Sequence, residues 1–373
     1  MKTHVKLTLG FVAAALSASA ATFYVDARTM AGGDGSPARP WRTAHEAVDG
    51  VRAARKAGAV KPGEAVEVCF LPGDYFVGNG LRLTAADSGT DNAPVVWRTV
   101  GASRARLTAG VRVPPELFRK VDDPATLARL PEDARGRVYV ADVSTLVPEK
   151  IPAMASAFGG TPTAPLLFVG GRPGTLARWP NADYTSFTQA VDRGGLVKKN
   201  PGGSDTRTPG AFVYDNPRAA RWNFDAGVWL NGYWTHDWDN HSVRAAHYGA
   251  ENGTNHVVRL AAPVPYGIMG GTWGRKERRF YAFNLLEELD APGEWWLDRA
   301  KKLLYLYPPK GTPCAEDAVT LVFTAEPILR AADVRHLRFE RLAFEYGSGQ
   351  GVSLSGTDVR FEDCRVANLG GTG

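Results

Sequence analysis

The sequence predicts an all-β protein: a parallel β-helix with a cap helix near its start and an inserted antiparallel β domain in its middle. The first observation is a repeat at a spacing of 22 residues, in which residues 337–340 align with 359–362 and Leu342 aligns with Cys364. The second is that apolar residues alternate with charged or small ones in each copy, which is the period of a strand with one buried face. Short alternating strands joined by Gly-rich corners at such a period are typical of a β-helix coil.

The position of the repeat divides the chain. Residues 21–110 are expected to form the cap and the first β-helix coils, 111–325 the inserted domain, and 326–373 the coils after it. The second copy of the repeat stops at Gly373, where the first copy continues into a further strand. We therefore expect a fragment of a longer β-solenoid, truncated in its C-terminal coils.

The first 20 residues have the features of a secretory signal. Lys2 and Lys6 precede an apolar stretch over 7–16, and residues 18–20 read Ala-Ser-Ala, a pattern typical of a cleavage site. The alternative, a membrane anchor, would need a longer apolar run, and no later segment is long enough to span a bilayer. The sequence therefore predicts cleavage after Ala20 and a secreted or periplasmic protein.

One helix is predicted with a defined start. Thr43 followed by Glu46 is a capping box, and Gly58 ends the run. The apolar residues at helical spacing are Ala44, Ala47, Val48, Val51 and Ala54. An open strand edge at the start of a β-solenoid would invite aggregation, so this helix is predicted to cap it.

Short strands are predicted on both sides of position 111. The strands of the first coils are residues 23–25, 66–70, 81–83, 95–99 and 106–107. Those of the inserted domain are 137–143, 228–234, 257–260, 280–283, 295–298 and 303–307. A turn over 170–174 further predicts a hairpin of 166–169 with 175–179.

Composition limits the partners and cofactors. Hydrophobic residues make up 44% and charged residues 22% of the 373, as in ordinary globular proteins. The net charge of +5 becomes +3 without Lys2 and Lys6, and its scatter does not favour nucleic acid. Cys69, Cys314 and Cys364 are too far apart for a disulfide framework or a structural zinc site. No metal and no cofactor are expected.

Several motifs taken in order carry a resemblance that covers almost the whole chain after residue 20. They are residues 23–26 (FYVD), 71–75 (LPGDY), 87–90 (DSGT), 94–97 (PVVW), 176–181 (LARWPN), 232–234 (GYW), 293–298 (GEWWLD) and 304–309 (LYLYPP). The chain resembles the large secreted bacterial right-handed parallel β-helix proteins related to glycoside hydrolase family 141. The resemblance implies a right-handed, pectate-lyase-like solenoid with a β insertion and activity on plant or other complex glycans. It implies no particular sugar, and it places the catalytic acids on coils after Gly373.

The densest polar and aromatic run covers residues 233–241. Aromatic rings stack on sugars while His and Asp bind hydroxyl groups, so this run is a candidate glycan-contacting surface. As a strand, it would place Trp234, His236 and Trp238 on one face, and Asp237, Asp239 and His241 on the other. The substrate-binding candidates are Trp234, His236, Asp237 and Trp238. The alternatives are a core strand with paired polar groups, which the pattern favours, and a metal site of Asp237, Asp239 and His241, for which no fourth ligand is evident.

Arg178 and Trp179 are a second pair of substrate-binding candidates, because they end a predicted strand and could line the same cleft by cation–π contact. The alternative, which the residues favour, is an arginine lying over a structural tryptophan.

Glu340 and Glu362 occupy equivalent outward positions in the repeat, about 4.8 Å apart on stacked strands. Retaining glycosidases separate their carboxyls by about 5–5.5 Å, so adjacent coils could supply such a pair. Arg338 and Arg360 share the same face, however, and favour a salt-bridged solvent surface. The catalytic residues stay unknown from the sequence.

The leading functional prediction is a secreted polysaccharide-active enzyme, a glycoside hydrolase that uses two carboxylates on later coils, with a polysaccharide or oligosaccharide as its substrate. One alternative is a β-helix polysaccharide lyase, which needs an Arg or Lys base and a group that neutralises a uronate. The other is a non-catalytic surface protein that binds glycan through the inserted domain.

Overall fold

The computed structural model describes residues 20–155, 157–158, 165–187, 189–197, 206–251, 255–268, 278–313 and 317–371. The predicted secretory signal lies outside these residues except for Ala20, and Cys314 also lies outside them. Within the described residues, no helix has the length and apolar character needed to cross a bilayer.

The described chain is mostly β. The strands up to residue 142 are β1 (Ala21–Val25), β2 (Val66–Phe70), β3 (Asp74–Phe76), β4 (Leu81–Leu83), β5 (Val95–Thr99), β6 (Ala105–Thr108), β7 (Gly110–Arg112), β8 (Phe118–Lys120) and β9 (Tyr139–Asp142). Those up to residue 213 are β10 (Ala157–Phe158), β11 (Leu166–Val169), β12 (Arg172–Pro173), β13 (Thr175–Leu176), β14 (Arg178–Trp179), β15 (Thr185–Phe187), β16 (Ala190–Asp192), β17 (Gly195–Val197), β18 (Thr206–Thr208) and β19 (Ala211–Val213). The remaining strands are β20 (Trp229–Tyr233), β21 (Asn240–Glu251), β22 (Asn255–Leu260), β23 (Arg278–Phe283), β24 (Glu294–Asp298), β25 (Leu303–Leu306), β26 (Thr320–Val322), β27 (Leu329–Glu340), β28 (Leu342–Gly347), β29 (Val352–Glu362) and β30 (Arg365–Leu369). The α-helices are α1 (Ala44–Lys56) and α2 (Pro124–Arg129).

Two parallel sheets are formed by strands from both ends of the described chain. One has the order β1-β2-β5-β27-β29, with β4 also paired to β27, and the other has the order β3-β6-β28-β30. The pairing of β27 with β29 places Leu337 beside Val359 and Phe339 beside Phe361, which is the register of the sequence repeat. Apolar residues of both sheets share one buried core, in which Phe339 and Phe344 meet edge to face. The predicted combination of parallel and antiparallel sheets is thus confirmed, as is the repeat register.

Helix α1 starts where its sequence predicts. The Glu46 amide donates to Thr43 Oγ1 (3.1 Å) and the Thr43 amide donates to Glu46 Oε2 (3.3 Å), which completes the capping box. The apolar face of the helix enters the core shared by the two parallel sheets. The outer edge of β1 is paired by the segment that precedes the helix, because the Tyr24 amide donates to Gly35 O and the Trp41 amide donates to Tyr24 O. The backbone edge is therefore covered by residues 35–41, and α1 contributes apolar packing.

Antiparallel and mixed sheets occupy most of the chain between β6 and β27. The largest has the order β14-β23-β20-β21-β22-β19-β16, with β10 on β21 and β15 on β23. The others have the orders β12-β11-β26-β7, β13-β24-β25-β9-β8 and β17-β18. An aromatic core packs against the largest sheet and is separate from the core of the parallel sheets.

The hairpin predicted between 166–169 and 175–179 is wrong. Strand β11 pairs instead with β12 and with β26, while β13 pairs in parallel with β24 and β14 pairs with β23. The turn is also shorter than predicted, since it covers residues 170–171 and β12 follows at once. Strands this short take their partners from wherever the long-range packing brings an edge.

The chain leaves the parallel sheets and returns to them at neighbouring points. Strand β7 follows β6 directly, and it pairs with β26, which precedes β27. The register places Gly110 beside Val322 and Arg112 beside Thr320. Both connections between the parallel sheets and the rest of the chain therefore run side by side.

Candidate functional site

The centre of the polar and aromatic run, residues 234–239, is a turn, so the prediction of one strand over 233–241 is wrong. Strand β20 ends at Tyr233, and the chain reverses before β21 begins at Asn240. Side chains in a turn do not alternate between two faces, so Trp234, His236 and Trp238 do not lie on a common face as predicted. Trp234 is 1% exposed and packs among the aromatic core residues, and its Nε1 donates to His241 O (3.0 Å). It supports the turn from inside and is not available to a ligand.

His236 and Trp238 form an exposed aromatic cluster with Tyr266, and we call these three residues the His236 cluster. The rings of His236 and Trp238 stack at 5.1 Å with an interplanar angle of 7°, and Tyr266 meets both edge to face. Trp238 is 62% exposed and Tyr266 is 51% exposed. Thr235 Oγ1 donates to Gly267 O (2.6 Å) and so fastens the turn to the Tyr266 segment. The cluster is a rigid, solvent-facing aromatic surface.

The acidic residues of the turn have protein partners. Asp237, which is exposed, lies 3.7 Å from the buried Arg278, and burial lowers the pKa of that arginine. Asp239 is buried and accepts a hydrogen bond from His241 Nδ1 (2.7 Å). Within the described part of the chain, Asp237, Asp239 and His241 do not bring three ligand atoms close enough together for one cation.

Arg178 and Trp179 lie on opposite faces of strand β14, because successive strand residues alternate. The Arg178 guanidinium lies 3.7 Å from the centre of the Tyr281 ring, and its Nε donates to Pro180 O (2.8 Å). Trp179 packs against the aromatic core and is covered by Arg218 at 3.9 Å. Trp179 is thus a structural tryptophan covered by an arginine, which is the favoured alternative, but the arginine is Arg218 and not Arg178.

Arg178 belongs to a second surface that the sequence reasoning missed, and we call it the tyrosine–arginine face. It consists of Arg178, Tyr184, Tyr233, Arg279 and Tyr281. Tyr184 is 38% exposed, and its ring lies 5.8 Å from that of Tyr233 and 5.7 Å from that of Tyr281. The Arg279 guanidinium lies 4.1 Å from the centre of the Tyr233 ring. Burial, followed by the neighbouring Tyr233, raises the pKa of Tyr184, so its hydroxyl stays protonated and able to donate.

The alternation of β23 explains how the tyrosine–arginine face forms. Phe280 and Ala282 point into the aromatic core, so Arg279 and Tyr281 point away from it. The pairing of β20 with β23 and of β14 with β23 brings Tyr233 and Arg178 to the same side. The signal in the sequence was the alternation at 279–282, in which Arg279 and Tyr281 alternate with the core residues Phe280 and Ala282.

A buried carboxylate supports this face from behind. Glu294 is 3% exposed, and it accepts hydrogen bonds from the amides of Asp290 and Ala291 (both 3.0 Å) and of Arg178 (3.2 Å). Burial outweighs these amides and raises the pKa of Glu294 to about 7. The Arg178 backbone is therefore held by a buried acid.

Glu340 and Glu362 stack in register, as Arg338 and Arg360 do. The ion-pair partner of Glu340 is Arg98 on the adjacent strand (3.6 Å), which also lies 3.7 Å from Glu67. The pattern is the salt-bridged solvent surface that the sequence favoured, but the pairing cation comes from β5.

A histidine and two aspartates also meet where β27 and β29 pass the turn that contains Asp91. Ligand atoms of Asp91, His336 and Asp358 lie within 4.8 Å of one another. His336 Nδ1 lies 2.9 Å from Asp358 Oδ2, and Arg360 Nε donates to Asp358 Oδ1 (3.0 Å). The ion pairs of Asp358 account for this grouping as a surface network.

The described chain is a β protein in which parallel sheets are joined to an aromatic-rich antiparallel region. A solved structure named "Glycoside hydrolase" matches with a TM-score of 0.62 and 17% sequence identity over 95% of this chain. The chain spans 63% of that protein, which is less than two thirds of its length. A solved complex of XylC with xylose matches with a TM-score of 0.30 and 10% identity, over 90% of this chain and 42% of the other, a likeness too low to support an argument. No protein-family model matches the sequence, and no curated protein matches it either.

Proposed function

We propose that this chain acts in a secreted, polysaccharide-active protein of the glycoside hydrolase type. The observation that carries the proposal is the tyrosine–arginine face, a set of solvent-facing rings with guanidinium groups held against them. The likeness of the fold to a glycoside hydrolase supports it.

Such a face suits a sugar chain for two physical reasons. The flat C–H faces of a pyranose ring pack well on tyrosine rings, which lose little conformational entropy when they bind. Guanidinium groups donate several hydrogen bonds in a fixed plane, as sugar hydroxyls require. Both arginines are immobilised before binding, Arg178 over Tyr281 and Arg279 over Tyr233, so the face is pre-organised.

The proposed architecture is a right-handed parallel β-helix of the kind related to glycoside hydrolase family 141. Residues 21–110 and 326–373 would form its cap and coils, and residues 111–325 the inserted β domain. Two observations support this division. The strands of the two parallel sheets pair in parallel register, and the connections through β7 and β26 run side by side. In it, the tyrosine–arginine face and the His236 cluster both belong to the insertion.

The proposed location is outside the cytoplasm, after cleavage of the predicted signal behind Ala20. Expression in a bacterium with an export pathway, followed by N-terminal sequencing of the exported protein, tests this. A mature protein that starts at Ala21 supports the proposal, and a protein that keeps Met1 in the cytoplasm contradicts it.

The test of the function is a glycan panel assayed for binding, for new reducing ends and for the ultraviolet absorbance of unsaturated uronates. Reducing ends without that absorbance indicate a hydrolase, and reducing ends with it a lyase. Binding without turnover favours the glycan-binding surface protein. Absence of both binding and turnover across the panel contradicts the proposal.

Single substitutions test whether the glycan binds at the tyrosine–arginine face. Tyr184→Ala is expected to weaken glycan binding at least tenfold, whereas Tyr184→Phe retains the ring and most of the affinity. Trp238→Ala tests the His236 cluster in the same assay. The matched control is Leu354→Ala, an exposed apolar residue (45%) on strand β29 of the parallel sheets, and it should bind as the parent does.

A further inference from the structure

A groove lies where the parallel sheets meet the antiparallel region. Two cavities, of about 410 Å³ and about 310 Å³, share Phe76, Val111 and Leu146 in their walls. Strands β3, β6 and β28 line one side of the larger cavity, and β7, β26 and residues 145–146 line the other. Because these three residues belong to the walls of both cavities, the two cavities are adjacent, and we refer to them together as the groove.

Phe76 is the apolar centre of the groove. In β3 the buried Tyr75 points into the core, so Asp74 and Phe76 point outward, and Phe76 is 52% exposed. The ring lines both cavities, so one occupant in each can contact it. A phenylalanine displayed in this position offers a stacking platform between two ligand units.

The polar wall of the larger cavity is held in place by a buried ion pair. Arg106 Nε donates to Glu345 (2.7 Å) and its Nη1 donates to Asp74 (2.7 Å). Glu345 is 3% exposed and also pairs with Arg365 (2.8 Å). Tyr346, which lines the same cavity, has its ring 5.4 Å from the Arg106 guanidinium. The guanidinium is therefore fixed by groups that do not depend on a ligand.

We propose that this groove binds two consecutive pyranose units of a glycan, one on each side of Phe76. Each cavity is near the lower end of the range for small-molecule sites, about 300–1,000 Å³, which suits one sugar ring. Asp74 and Glu345 hold the Arg106 guanidinium in the wall, where N–H groups and carboxylate oxygens together suit sugar hydroxyls. The inference rests on the proposed function, since it assumes a glycan ligand, but it assigns a site distinct from the tyrosine–arginine face.

Hydroxyl-radical footprinting of the full chain measures the protection of the groove, through Phe76, and of the tyrosine–arginine face, through Tyr184, in one experiment. The probes are cellobiose, xylobiose and chitobiose as neutral disaccharides and digalacturonate as a charged one. Oxidation of Phe76 should fall at least threefold with one or more of these disaccharides. Met30, which is 85% exposed and lines neither cavity, corrects for the radicals that the sugars scavenge.

A substitution at Phe76 tests whether its ring contributes to sugar binding or is only shielded from radicals by a sugar that binds nearby. Phe76→Ala should weaken binding of the protecting disaccharide at least tenfold by calorimetry, and Met30→Ala should leave it unchanged. Protection of Tyr184 without protection of Phe76 overturns the groove and leaves the proposed function in place. Protection of neither residue by any probe overturns both.

Discussion

Buried carboxylates are concentrated at the β23–β24 connection, and each has a different means of stabilisation. Glu287 pairs with Arg129 (2.7 Å), and Glu288 pairs with Arg218 (2.7 Å) and accepts from Trp222 Nε1 (2.7 Å). Glu294 has backbone amides as its hydrogen-bond donors, and no described residue forms an ion pair with it. A buried carboxylate without a countercharge is expected to favour its neutral form. The protonation of Glu294 is therefore expected to affect stability near neutral pH.

Glu294→Gln tests this residue. The folded-state pKa of about 7 is above the ordinary value of 4.5, so the folded protein binds the proton more tightly than the unfolded chain. The stabilisation is fully present below about pH 4.5 and is lost as the pH rises through 7, with a total of roughly 3 kcal/mol. Urea unfolding at several pH values should show the free energy of unfolding of the parent falling by this amount relative to the variant. A difference that is constant from pH 4 to pH 8 would contradict the prediction.

Helix α1 packs closely against the core at Gly50, a position that has no side chain. Gly50 lies against the buried ring of Trp41, which stacks in turn on Phe23 at 5.0 Å. A Cβ at position 50 would lie 2.0 Å from Trp41 Cζ2, which is far inside van der Waals contact. The helix can approach the β1 region this closely only because position 50 lacks a side chain.

Gly50→Ala is therefore expected to destabilise the protein, against the helix propensity of the two residues. Alanine in a helix interior normally gains about 1 kcal/mol over glycine, but overpacking against an immobile ring costs about 1–3 kcal/mol. Thermal unfolding should show a lower melting temperature for the variant. Asp49→Ala is the control, since this neighbouring side chain is 80% exposed and should change stability by less than about 0.5 kcal/mol. A stabilised Gly50→Ala protein would show that the helix does not pack as described.

Across the whole molecule, the strands of the parallel sheets are joined by a column of apolar side chains. The column comprises Phe23, Val68, Trp97, Phe339 and Phe361, each in register with the next. It joins strands from before and after the antiparallel region. Phe339 has neighbours on both sides, and it stacks on Phe361 at 4.7 Å. The column shows that residues far apart in the chain stabilise a common core.

Phe339→Ala is expected to lower the free energy of unfolding by about 3–5 kcal/mol, because it opens a cavity in the centre of this column. Phe361→Ala is the matched comparison and should cost clearly less, since Phe361 is 36% exposed and Phe339 is fully buried. Urea unfolding followed by tryptophan fluorescence measures both, with Trp97 as the neighbouring reporter. Equal losses of unfolding free energy in the two variants would contradict the deeper burial of Phe339.

Much of the secondary structure and one tertiary register were predictable from the sequence, because they depend on local pattern. The capping box at Thr43 and Glu46 specifies the start of α1 through contacts within four residues. The 22-residue repeat specifies the pairing of β27 with β29, because equivalent residues of a repeat stack on one another. The predicted strands 66–70, 81–83 and 95–99 match β2, β4 and β5.

Only the tertiary structure decided the partners of short strands and the surroundings of the candidate site. Strand β11 pairs with β26, which is distant in the chain, and no local signal distinguishes that edge from the adjacent 175–179 segment. Trp234 and Trp238 are the same residue type four positions apart, yet one is 1% exposed and the other 62%, because the chain turns between them. The tyrosine–arginine face is assembled from β14, β20, β23 and the residue before β15. Local sequence specifies which segments are strands, whereas the side chains that meet on a surface are set by long-range pairing.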